Sequence, residues 1–109
     1  MIYMTVYVAT PVNGRKEPTI KEKQDAAFER VKEIGDELRI QYPDTTITIC
    51  SFGSIADIET MHEREIMCKC VDLLMSCHAA YFDDGWRDSK GCTVEHTVAE
   101  QYNIKILKD

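Results

Sequence analysis

The chain has 109 residues, with 13 Lys and Arg against 19 Asp and Glu and a net charge of −6. That length builds one hydrophobic core rather than two, and an acidic chain without a concentrated basic face is unsuited to gripping a nucleic-acid polymer. No apolar run approaches about 18 residues and the N-terminus opens directly into strand-like sequence, so no membrane span or targeting segment is read and a cytoplasmic location is expected.

Residues 2–9 are apolar or β-branched almost throughout, the pattern of a buried strand, and Pro11-Val12-Asn13-Gly14-Arg15 ends the run with turn chemistry. Thr19-Ile20-Lys21-Glu22 has the form of a capping box, and Ala27, Val31, Ile34 and Leu38 recur at helical spacing to about Gln41. Pro43-Asp44 stops that helix, and residues 45–50 read as a second strand. Residues 57–77 read as a second helix whose apolar surface, from Met61 through Leu74, is too wide for one stripe and calls for a partner besides the sheet. A third strand is read at 78–82, a third helix at 91–102 and a fourth strand at 104–107.

Strict β and α alternation implies a parallel sheet with helices on both faces. The expected fold is therefore a single domain over 1–109, a small Rossmann-like (flavodoxin-like) three-layer α/β sandwich with strand order 2-1-3-4. In that order the connections leaving strands 1 and 3 run to opposite faces, and a ligand crevice opens between their carboxyl ends. The loops at residues 10–15 and 83–91 would meet there.

Glu95 is the anomaly in the second of those regions. It shares a helix face with Val98, Ala99 and Tyr102, so its carboxylate points inward or into the crevice, where burial is costly unless the group is paired or used. Two readings stand: a side chain reaching back to cap the first turn of its helix, or a working carboxylate. Ser89-Lys90-Gly91 just upstream weighs toward the second, because Ser89 can cap the helix while nearby N–H groups face an anion, and Gly91 lets a ligand approach the backbone. Trp86 either stacks on a ligand base or covers a core edge. His96 lies about 100° from Glu95 around the helix and reads as a surface residue. The five cysteines are odd in number and sit within regular segments, so they read as reduced thiols; Cys68-x-Cys70 with Cys77-His78 fits no usual zinc spacing, and no metal or other cofactor is expected.

Three stretches carry a resemblance to a known family: VYVATPVNGR (6–15), MHERE (61–65) and GWRDSKGCTVEHTVA (85–99), the last with a Ser-x-Gly-x-x-x-Glu spacing at Ser89, Gly91 and Glu95. The chain resembles the nucleoside 2-deoxyribosyltransferase-like superfamily, and within it the short uncharacterised branch called domain of unknown function 4406, with similarity to the 2′-deoxynucleoside 5′-phosphate N-hydrolases. The resemblance implies an N-glycosidase or deoxyribosyl transferase that cleaves the N-glycosidic bond of a deoxynucleoside or its 5′-monophosphate, in which Glu95 is the nucleophile, Tyr7 stands beside it, and Glu65 orients or protonates the leaving base. It further implies that Ser89 and Gly91 hold a 5′-phosphate, that Thr10, Val12 and Asn13 line the facing loop, and that Arg15 adds a cation there. Thr10 takes the place of the family's small glycine. A non-catalytic module binding a nucleotide or nucleotide-sugar in the same crevice is the alternative. Self-association through the second helix, as a homodimer or higher oligomer, is expected to complete the base pocket.

Overall fold

The computed structural model describes residues 2–11 and 19–109. Its four strands, β1 (Ile2–Ala9), β2 (Thr45–Ser51), β3 (Ala79–Phe82) and β4 (Lys105–Lys108), form one parallel sheet in the order β2-β1-β3-β4. The helices are α1 (Ile20–Gln41), α2 (Glu63–Met75) and α3 (Lys90–Gln101). Single-turn 3-10 segments lie at Phe52–Ser54, Ile58–Thr60 and Trp86–Asp88.

The alternation of side chains along the two central strands divides the core. Val6 and Val8 of β1, with Ala79 and Tyr81 of β3, pack on Val31, Ile34 and Leu38 of α1. Tyr7, Ala9, Ala80 and Phe82 face the other way, onto Cys70 and Leu74 of α2 and Cys92 and Ala99 of α3. The expected three-layer sandwich and strand order are therefore observed.

Helix boundaries follow local chemistry. Thr19 caps α1, its Oγ1 accepting from Glu22 N at 3.1 Å, and the helix ends where Tyr42 N donates to Leu38 O at 2.9 Å ahead of Pro43. The second helix is shorter than the sequence suggests. Asp57 adopts a left-handed conformation at φ 56°, fully buried Ile58 is pinned in the core, and a regular helix begins only at Glu63. Its far end closes as Ser76 Oγ and Cys77 Sγ both donate to Leu73 O, at 2.8 and 3.1 Å. His78 precedes the third strand and extends its pairing with β1, donating its N–H to Thr5 O and accepting from Thr5 N at its Nδ1, each at 2.9 Å.

The apolar surface of α2 is buried in part within the chain. Cys70 and Leu74 are buried, while Ile66, Met67 and Leu73 are partly buried against the α2 and α3 side of the core, leaving Met75 exposed. Among the described residues no helix is long and apolar enough to cross a membrane.

Candidate functional site

β1 and β3 are neighbours whose following helices lie on opposite faces, so the sheet opens beyond their carboxyl ends, where open α/β sheets bind ligands. A cavity of about 660 Å³ occupies this position. It is floored by the end of β1 from Tyr7 to Thr10 and walled on one side by Ser89–Cys92, Val94 and Glu95 of the α3 region. Facing them are Glu63, Arg64, Ile66, Met67 and Cys70 of α2, with Ile20 and Lys23 of α1 and Phe52 completing the rim. The lining is mostly apolar with a few convergent polar groups, the usual make-up of a small-molecule site.

Glu95 is the deepest charge-bearing group in it, 5% exposed. Its Oε2 has no hydrogen-bond partner among the described residues. Burial pushes its carboxyl up to about 7, and the Tyr7 phenol beside it works in the opposite sense by favouring the ionised form. Tyr7 is itself held well above the usual phenol range, first by burial and then by the Glu95 charge, so it stays protonated and able to donate. Burial also raises the Cys70 and Cys92 thiols to about 12, which keeps them neutral and unsuited to nucleophilic attack. Among these neighbours Glu95 is the group able to act as a nucleophile or base near neutral pH.

The N-terminus of α3 forms the adjoining wall. Ser89 is its N-cap, with Oγ accepting from Cys92 N at 3.3 Å and its carbonyl accepting from Thr93 N at 3.0 Å. The N–H groups of Lys90 and Gly91, at the first two helical positions, have no acceptor within the helix. A Cβ placed on Gly91 would lie 3.8 Å from Met67 Sδ and 3.9 Å from Glu95 Oε1, so the glycine fronts the space beside the carboxyl group. Lys23, Arg64 and Lys90 bring three cations to the lining. Lys90 Nζ reaches Glu63 Oε1 at 2.7 Å, an exposed ion pair that spans from α3 to α2. The crevice of an acidic protein thus carries local features suited to an anion. At the end of β1, the buried Thr10 Oγ1 likewise has no partner among the described residues.

Tyr7, Thr10, Ser89, Gly91 and Glu95, all singled out from the sequence, are brought together here. Val12, Asn13 and Arg15 lie outside the described residues. Glu65 is not brought in: it does not line the cavity, because Glu63, Met67 and Cys70 share the face of α2 that borders it and Glu65 is turned away by about 200° from Glu63. Trp86 is also elsewhere. It is buried, its Nε1 donates to Asp109 O at 2.9 Å, and its ring stacks on His96 with centroids 4.0 Å apart. Of its two readings the core edge is the observed one. The expectation of a surface His96 is corrected as well: the ring is 9% exposed, held by Phe82 and Trp86, with Nδ1 2.8 Å from Glu100 and Nε2 3.2 Å from Asp109. Helical spacing could not reveal a lid supplied by Trp86 and the distant Asp109.

Sequence reasoning missed Lys23, Arg64 and Met67 as lining residues. Arg64 sits inside the MHERE stretch, and the inward phase of Met67 and Cys70 is the signal that would have favoured Glu63 and Arg64 over Glu65. Asp83, in the turn before Ser89, is occupied structurally: Arg30 Nε and Nη2 donate to its two carboxylate oxygens at 2.9 and 3.0 Å, tying α1 to the end of β3. Among the described residues no three His, Cys, Asp or Glu side chains gather as a metal site requires.

Fold and crevice together define a small α/β protein with a buried carboxyl group, Glu95, in the wall of the cavity at the switch point of its sheet. The model of a domain of unknown function, DUF4406, matches residues 4–108, and the chain belongs to that family. No curated protein matches the chain.

Proposed function

We propose that the crevice takes a nucleoside or its 5′-monophosphate and that Glu95 breaks the N-glycosidic bond. The observation that carries this reading is a carboxyl group buried in the wall of an open cavity, with one oxygen unpartnered and Tyr7 beside it. A fold does not retain such a group for stability, since an unpaired buried acid is costly. Its use is at a centre that becomes positively charged, as C1′ does when its bond to a base nitrogen stretches.

In the proposed reaction the ionised carboxylate attacks C1′ as the C1′–N bond breaks. The bonding pair leaves with the base, which takes its proton from solvent, and a glycosyl ester forms on Glu95. Water, or the nitrogen of a second base, then attacks C1′, loses a proton to solvent, and the ester C1′–O bond breaks to regenerate the carboxylate. Double displacement through a carboxylate is established chemistry for glycosidic bonds. Tyr7 donates to the carboxylate and holds its orientation. The free N–H groups at the start of α3, with Ser89 and the nearby cations, suit a 5′-phosphate, and Ile20, Met67 and Val94 supply an apolar rim.

The test is a panel of nucleosides and their monophosphates incubated with the wild type and Glu95→Gln, followed by chromatography for free base. Base release by the wild type alone supports the reading. Binding without release across the panel would leave the crevice as a nucleotide-binding module.

A further inference from the structure

Resting on that reading of the crevice, we infer that Thr10 is a specificity-determining residue and that the sugar accepted is ribosyl, carrying a 2′-hydroxyl, rather than 2′-deoxyribosyl. Two buried polar atoms of the crevice residues are left without partners among the described residues, Thr10 Oγ1 and Glu95 Oε2. Both residues are 5% exposed, and their chemistries are complementary. An ionised carboxylate only accepts hydrogen bonds, whereas a threonine hydroxyl donates one and accepts others. A single ligand hydroxyl seated between the two residues would satisfy both, donating to the carboxylate and accepting from Thr10.

The place of that hydroxyl on the ligand follows from the chemistry. When one oxygen of a carboxylate approaches the anomeric carbon, its other oxygen lies toward the substituent on the adjacent carbon, and hydrogen bonds to a 2-hydroxyl strengthen as the transition state forms. A carboxyl group has a broad terminal torsion, so modest rotation turns its unpartnered oxygen to the ligand. A 2′-methylene would leave both protein groups buried and unpaired once the ligand excludes water. Sites built to hydrogen-bond a ligand hydroxyl reject the analogue lacking it far more strongly than apolar pockets reject a missing methylene. Val8 and Ala9 continue the floor of the crevice without polar side chains and the Tyr7 phenol is engaged with Glu95, leaving Thr10 as the unpartnered hydroxyl, among the described residues, at the end of β1.

The experiment compares matched ribonucleoside and 2′-deoxyribonucleoside 5′-monophosphates, with binding measured by calorimetry and base release followed separately. The wild type is expected to bind the ribo series tighter by on the order of tenfold or more. Thr10→Val, which keeps the shape and removes the unpartnered hydroxyl, should bring that ratio toward one, and Thr10→Ser should keep it. Equal or tighter binding of the deoxy series, no binding of either, or a ribo preference that survives in Thr10→Val would overturn the inference. Base release tests the catalytic reading separately. A ribo preference that Thr10→Val abolishes, with no base released from either series, leaves the inference standing and removes the enzyme. Base released from deoxy ligands at least as fast as from ribo ligands does the reverse.

Discussion

Glu95 stands on a helical stripe that should be apolar, and its free-energy consequences are opposite to those of a helix cap. Its carboxyl is raised from 4.5 to about 7 by burial. The folded chain therefore holds this proton more tightly than the unfolded one, so stability is highest below the unfolded value and declines as pH rises from about 4.5 to about 7. Over that window the loss is on the order of 3 kcal/mol. Glu95→Gln is expected to remove most of this decline and to be more stable than the wild type at pH 8, as urea unfolding at pH 5 and pH 8 would measure. If Glu95 only capped its helix, the substitution would cost roughly 1 kcal/mol or less and would not flatten the pH profile. Since the nucleophile must be ionised, kcat/KM for base release should rise with pH through about 7, the value of the free enzyme. A rate constant across pH 5–9 would remove Glu95 from the rate-determining chemistry.

The start of α3 is where helix formation and ligand binding share the same residues. Ser89 caps the helix through Cys92 N, so Ser89→Ala should lower stability by about 0.5–2 kcal/mol and narrow any preference for monophosphates over nucleosides. Equal affinity of the wild type for both ligand classes would mean that this terminus holds no phosphate. Gly91→Ala separates the two roles. The added methyl meets only ordinary contacts, so the fold should tolerate it and gain up to about 1 kcal/mol of helix propensity, while ligand affinity falls because the methyl fronts the carboxyl group. Affinity unchanged by that methyl would place the ligand elsewhere. Ser89, Gly91 and Glu95 could be found from sequence because their spacing lies within one helix, whose phase is fixed by 3.6 residues per turn. The same logic failed on α2. Treating residues 57–77 as one helix hid the left-handed Asp57 and the buried Ile58 turn, and the MHERE stretch alone did not distinguish Glu65 from its inward-facing neighbours.

Alternating strands and helices fixed the sheet order because right-handed crossovers leave few ways to cover both faces. Tertiary partners were a different matter. Arg30 meets Asp83 across 53 residues and Trp86 meets Asp109 across 23, and no local period encodes such pairs. Arg30 and Asp83 join α1 to the strand end beside the crevice, so Arg30→Ala should destabilise the whole molecule by about 1–3 kcal/mol, through the buried carboxylate it leaves without its cation and with only the Asp84 N–H donating to it. A thermal midpoint unchanged by that substitution would reduce the pair to a surface contact. The apolar residues of α2 divide between the core, the contact with α3 and the crevice, with Met75 exposed. The account of the molecule as an enzyme depends on a covalent bond to one side chain. Incubation at saturating concentration with 2′-deoxy-2′-fluoro nucleoside monophosphates, whose fluorine replaces the 2′-hydroxyl, destabilises the developing cation and slows breakdown of the ester, should release base and leave a sugar phosphate on the protein. Peptide mass spectrometry is expected to place that mass on Glu95 and to find none in Glu95→Gln; base release with no adduct, or an adduct on another residue, would contradict the assignment.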